Sequence, residues 1–201
     1  MTINTHVLGI TGGIGSGKSV VAQCLHLMGI PVYNCDNEAK RLNNSHPSIR
    51  KGLIQLIGED IYTLEGVLNK EKLTNYLFDS PLHAAKVNAI IHPCVKDDFI
   101  QWKERQHTPW VAIESAILYE SGFAPLADKV VTVYAPEEIR IRRAVRRDQS
   151  SPKAIRQRIA QQISDDEKRK MADYTIYNDD IQPILPQILD ILANLLCLSQ
   201  K

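Results

Sequence analysis

Apolar positions in this chain follow two rhythms, and their alternation predicts its elements. Short unbroken apolar or β-branched runs occur at His6-Val7-Leu8-Gly9-Ile10-Thr11, Trp110-Val111-Ala112-Ile113 and Lys129-Val130-Val131-Thr132-Val133-Tyr134. They have the length and make-up of buried parallel strands. Ile30 to Asp36 reads as a further strand ending on a carboxylate, and Asp173 to Asn178 as a last one. Elsewhere the period is helical: Val20 to Met28 stopped by Gly29, Ile139 to Asp148 opened by Pro136-Glu137-Glu138, Ser151-Pro152 to about Ile163, and an amphipathic Ile184 to Leu198. From Asn37 to about Gln106 only helical pieces follow one another: Glu38 to Leu42, Ser48 to Ile57, Lys70 to Phe78, Leu82 to Ile91 and Cys94 to Arg105. Turn signals at His46-Pro47, Gly58, Gly66, Ser80-Pro81 and His92-Pro93 separate them. So long a helical run between two strands implies a lobe inserted into an α/β sheet domain.

The first strand leads into Gly12-Gly13-Ile14-Gly15-Ser16-Gly17-Lys18-Ser19, and a helix follows through Val20. Glycine, four variable residues and Gly-Lys-Ser form the phosphate-loop pattern, in the strand–loop–helix context that it requires. Amides from Gly12 to Val20 would form an anion nest backed by the positive helix end. Lys18 would reach the β- and γ-phosphates of a nucleotide, and the Ser19 hydroxyl would coordinate Mg²⁺. One helix separates the first two strands, so they belong to a right-handed βαβ unit, and ligands sit beyond the carboxyl ends of such strands. Asp36 would then share the crevice with the loop. It is a candidate to take the proton of an attacking hydroxyl or to hold Mg²⁺ through water, or else it caps a helix starting at Asn37.

Charge enters locally rather than globally. The net charge of +1 over 201 residues does not point to nucleic acid or to a membrane surface. Arg140, Arg142, Arg143, Arg146 and Arg147 crowd one helix, with Arg140, Arg143 and Arg147 on a common face. They are read as a phosphate clamp, and Lys153, Arg156 and Arg158 extend them into a helical lid. Glu114 and Glu120 lie beyond the third strand, suited to metal, acceptor, salt bridge or cap. His92 is assigned to the acceptor. Cys24, Cys35, Cys94 and Cys197 are too scattered for a metal site and read as buried reduced thiols. The Ile184–Leu198 run is too short and too polar to span a bilayer, and the N-terminus starts directly into a strand; a cytoplasmic protein is expected.

Together the motifs resemble the dephospho-CoA kinases. The likeness rests on Leu8 through Ser19, on Gly29-Ile30-Pro31-Val32 leading to Asp36, and on Ile91-His92-Pro93. Ile117-Leu118-Tyr119-Glu120, Arg143, Arg147-Asp148, Arg158 with Gln162, and Ala172-Asp173 before Asn178 extend it. The resemblance implies a P-loop NTPase core with a parallel sheet flanked by helices, an inserted helical CoA-binding lobe and a helical lid. Expected boundaries are a core of about 1–36, 107–138 and 171–201, a lobe of about 37–106 and a lid of about 139–170. It implies ATP-dependent phosphorylation of the ribose 3′-hydroxyl of dephospho-CoA, with Mg²⁺ as cofactor and ATP and dephospho-CoA as partners, in a monomer or small homo-oligomer. Lys18, Asp36, Arg143 and Arg147 become the catalytic set, and His92, Glu120 and Arg140 the acceptor set. Asn34 stands where relatives usually carry a first aspartate, and no proline precedes Ile117-Leu118. Competing readings are another small-metabolite or nucleoside-type P-loop kinase, and a nucleotide-driven switch or ATPase.

Overall fold

A computed structural model of the chain describes residues 5–198. Among them the strands β1 (His6–Thr11), β2 (Val32–Asn34), β3 (Trp110–Glu114), β4 (Lys129–Tyr134) and β5 (Tyr174–Tyr177) form one sheet in the order β2-β3-β1-β4-β5. β1 runs parallel to both β3 and β4, and β4 parallel to β5. The helices are α1 (Lys18–Leu27), α2 (Cys35–Ser45), α3 (Pro47–Ile57), α4 (Lys70–Asp79), α5 (Pro81–Glu104), α6 (Glu137–Asp148), α7 (Pro152–Ile159), α8 (Asp165–Met171) and α9 (Ile184–Leu198). The chain divides into two compact units, one reaching Tyr33 and resuming at Gln106, the other Asn34–Arg105.

In the sheet unit the apolar runs are buried as expected. Leu8, Ile10, Trp110, Ala112, Val131, Val133 and Ile176 form a core with Val21 and Leu25 of α1 and with Ile188, Ile191 and Leu195 of α9. The connection leaving β1 heads toward β2, whereas the one leaving β3 heads past β1 to β4. That reversal makes the carboxyl ends of β1 and β3 the ligand-facing crevice of the sheet. Register pairs Ile10 with Glu114, so β3 ends on its carboxylate beside the strand that feeds the glycine loop.

Several expected boundaries are corrected. The second strand stops at Asn34, and Asp36 lies in the first turn of α2 instead of at a strand end. Asn34, not Asp36, is the cap: its side chain accepts the Asn37 N–H at 2.9 Å. An amide oxygen there satisfies an orphan helix donor and so starts the helix early. His92-Pro93 does not separate two helices; α5 runs through Pro93. The apolar stripe Val87, Ile91, Val95 and Phe99 is buried on both sides of the proline, and the helix lies against α2, α3 and α4. Long-range packing thus outweighs the one lost backbone bond. The Ser151 helix ends at Ile159, and a separate α8 follows, opened by a capping box between Ser164 and Glu167. The thiols form no disulfide among the described residues, but only Cys35 is buried; Cys24 and Cys94 are half-buried and Cys197 is exposed. No described helix is long and apolar enough to cross a membrane.

Phe99 is almost fully buried at the C-terminal end of the apolar stripe of α5. Phe99→Ala should lower the unfolding free energy by about 3–5 kcal/mol, read as a reduced urea midpoint with an unchanged slope.

Candidate active site

The loop between β1 and α1 is shaped by glycine where no other residue fits. Gly15 and Gly17 have φ of 80° and 97°. A Cβ on Gly15 would strike the Arg140 carbonyl, and one on Gly17 the Asn178 side-chain amide. The loop is therefore held by neighbours as well as by its own turn. Asn178 Nδ2 donates to the Ser16 carbonyl at 2.7 Å, while the Asn178 backbone N–H donates to Tyr134 at the end of β4 at 2.8 Å. From the other side Arg140, buried at 3% exposure, pairs with Asp165 and reaches the Ile14 carbonyl at 3.4 Å. Gln162 accepts the Ile14 N–H at 3.1 Å. The Ile14 side chain packs with Ile141, Ala144 and Ile155 of α6 and α7.

Inside the loop Lys18 Nζ donates to the Gly13 carbonyl at 3.3 Å, which folds the lysine back along the nest. Ser19, one residue on, points its hydroxyl to Glu114 Oε1 at 3.1 Å. Glu114 is buried at 6% exposure. A hydroxyl and a carboxylate, both hard oxygen donors, are the protein ligands that a phosphate-bound Mg²⁺ takes, so this pair fits the ion. Among the described residues no cluster of three or more His, Cys, Asp or Glu forms a metal cage.

The arginines of α6 separate by depth. Arg140, assigned above to the acceptor, is buried against the loop. Arg143 donates to the Asn178 backbone carbonyl at 3.0 Å and side-chain oxygen at 3.3 Å, and it pairs with Asp180 at 2.5 Å. Arg147 pairs with Asp148 at 2.6 Å, and Arg158 of α7 reaches the same carboxylate at 2.7 Å. The Arg147 hydrogen bond, joined by that of Arg158, holds Asp148 down at about 2. Glu120 accepts the Ile163 N–H at 3.0 Å and lies 3.5 Å from Lys168 Nζ. Burial pushes the Lys168 ammonium below its usual value, against the pull of Glu120 and Asp165. In the other unit, Asp36 occupies the first turn of α2 and His92 is half-buried mid-way along α5, where desolvation lowers its pKa.

Sequence reasoning missed the bracing groups. Glu114 was one of several open choices, and nothing in its neighbours announces its pairing with Ser19. Asp165 and Lys168 lie in the charged run Asp165-Asp166-Glu167-Lys168-Arg169-Lys170 and drew no assignment, yet Lys168 is fully buried. A signal for α8 was present in Ser164-x-x-Glu167, a capping-box pattern.

A parallel sheet whose first strand opens into such a loop, with a buried carboxylate on the loop's serine and arginines beside it, has the make-up of the P-loop kinases. Within that class, the model of the dephospho-CoA kinase family matches residues 6–183, and the chain belongs to that family. It is 51% identical over 187 residues to a dephospho-CoA kinase of Bacteroides fragilis strain YCH46, covering 92% of this chain and 91% of that one. The crystal structure of TT1252 from Thermus thermophilus is similar at 30% identity and a TM-score of 0.81, covering 96% of this chain and 97% of that one. The dephospho-CoA kinase of Campylobacter jejuni shares the fold, with 21% identity, a TM-score of 0.66 and 98% coverage of each chain.

Asp148 has its folded pKa depressed from 3.8, so its contribution is complete above that value and is lost as pH falls through about 2. Asp148→Asn should therefore melt below the wild type near neutral pH, and the gap should shrink steadily on acidification below about pH 4. Thermal melts of both proteins across that range measure it.

Proposed function

We propose that the chain transfers the γ-phosphoryl group of ATP to the ribose 3′-hydroxyl of dephospho-CoA, giving coenzyme A and ADP, the last step of coenzyme A synthesis. The observation that carries this reading is the Ser19–Glu114 pair behind Lys18, at the carboxyl ends of β1 and β3, in a chain of the dephospho-CoA kinase family. The 3′-oxygen attacks the γ-phosphorus; the new P–O bond forms as the bond to the β–γ bridging oxygen breaks, and ADP departs. Positioning and charge stabilisation supply most of the rate for such a transfer.

The loop from Gly12 to Val20 is assigned to the phosphate oxygens, and Lys18 to the β- and γ-groups. Ser19 and Glu114 would hold Mg²⁺, which neutralises charge between the β- and γ-phosphates when bound. Asp36, two residues beyond β2, is the carboxylate assigned to orient or deprotonate the hydroxyl. Arg143 and Arg147 are assigned to the charge that develops on the migrating group. In this reading about 37–106 receives the acceptor, with His92 as a contact, and about 139–170 covers the phosphates. The reaction draws on cytoplasmic metabolites, which agrees with a cytoplasmic location.

The test is turnover of purified protein with ATP and a panel of alcohols, followed by ADP release and product mass. Dephospho-CoA should gain one phosphate at the ribose, while adenosine and shikimate are left unchanged; turnover of either of these without dephospho-CoA would reject the reading. Glu114→Gln keeps the side-chain shape but removes its charge. The Mg²⁺ needed for half-maximal rate should rise about tenfold or more, by analogy with other lost metal contacts. The metal-dependent gain in melting temperature with a non-hydrolysable ATP analogue should shift in parallel.

A further inference from the structure

The peptide joining Gly13 to Ile14 is gripped at both ends. Its carbonyl accepts Lys18 Nζ at 3.3 Å and the Ser16 N–H at 3.1 Å. Its N–H donates to Gln162 Oε1 at 3.1 Å. A peptide unit is planar and trans, so its N–H and C=O point in opposite directions and turn together. Whatever sets the N–H therefore sets the carbonyl and the ammonium resting on it.

Gln162 is itself anchored. Its Nε2 donates to the Ala116 carbonyl at 3.3 Å, and the same carbonyl accepts Lys168 Nζ at 2.8 Å. Glu120 closes the arrangement by taking the Ile163 N–H, next in the chain to Gln162. The turn between α7 and α8 is thus pinned to the segment after β3 and cannot swing freely with the arginines of α6. Only a side chain with one donor and one acceptor, and with the reach of glutamine, bridges Ala116 to Ile14.

We propose that Gln162 is a positioning residue for the phosphate-binding lysine, acting through the Gly13–Ile14 peptide plane. The proposal rests on the phosphate-loop reading of Lys18 but not on the identity of the acceptor. It predicts a coupled effect. Gln162→Met keeps length and stem but makes neither hydrogen bond.

Affinity for a non-hydrolysable ATP analogue, measured calorimetrically without acceptor, should fall about tenfold in that variant, and AMP affinity should stay within about twofold. In a Lys18→Ala background the same substitution should change analogue affinity by less than about twofold, because no ammonium remains to be aimed. Gln162→Glu retains an acceptor for the Ile14 N–H but loses the donor to Ala116, so its loss should fall between wild type and Gln162→Met. Losses that multiply in the double variant, or a Gln162→Glu variant as weak as Gln162→Met, would overturn the proposal. If Gln162→Met melts below the assay temperature, Gln162→Asn, too short to span both partners, takes its place in the cycle with the same two outcomes. A wild type that binds analogue and obeys the cycle, yet leaves dephospho-CoA untouched, would reject the acceptor and leave Gln162 in place.

Discussion

A loop that turns its peptide N–H groups toward an anion cannot spend those groups on itself. Beside the internal bond from the Ser16 N–H to the Gly13 carbonyl, it must take much of its shape from outside. In this chain the support comes from both flanks. Asn178, beyond β5, holds the Ser16 carbonyl, while Arg140 and Gln162 hold the Gly13–Ile14 side. The glycines are the other half of the same arrangement, because they allow those side chains to approach the backbone closely. Arg140 is the buried end of its pair with the half-buried Asp165, so losing Asp165 would strand the Arg140 charge under the loop.

How much of this was legible depends on the range over which each feature is decided. β1 and β4 follow from runs of neighbouring residues and their limits match the structure, while the phosphate loop is also legible but gives way to α1 two residues early, at Lys18. Asp36 was misjudged by two residues because the cap preference of Asn34 competes with strand propensity, and both are local signals of similar strength. Pro93 misled for the opposite reason. Its local penalty is real, yet Val87, Ile91, Val95 and Phe99 are buried around it, on a helix that lies against α3 and α4, up to about fifty positions away in the chain. The bracing groups are harder still. Lys168 sits in a charged run that gives no sign of its burial, and only the fold shows that the Ala116 carbonyl and Glu120 are there to receive it.

Burial of Lys168 also shows how polar and apolar ordering combine. A fully desolvated ammonium is tolerated because one carbonyl and one carboxylate meet it, and that requirement fixes α8 against the segment after β3. On the opposite flank of the loop, the side chain of Ile14 does the apolar counterpart by entering the small cluster of α6 and α7. The phosphate loop is thereby joined to the arginine-bearing helices by a hydrophobic contact, and to the β3 side by hydrogen bonds. Each kind of tie constrains a different direction of movement.

The pairing of Ile10 with Glu114 has a consequence for how this site can fail. Side chains alternate across a sheet, so a slip of one residue would turn the carboxylate to the far face and bring Ser115 or Ile113 in its stead. No intermediate register exists in which Glu114 is merely a little misplaced. Damage to the apolar core behind β1 and β3 should then leave a molecule either with its metal-side oxygen correctly seated or without one at all, so loss of activity would track the fraction of molecules misfolded and not a graded decline in each.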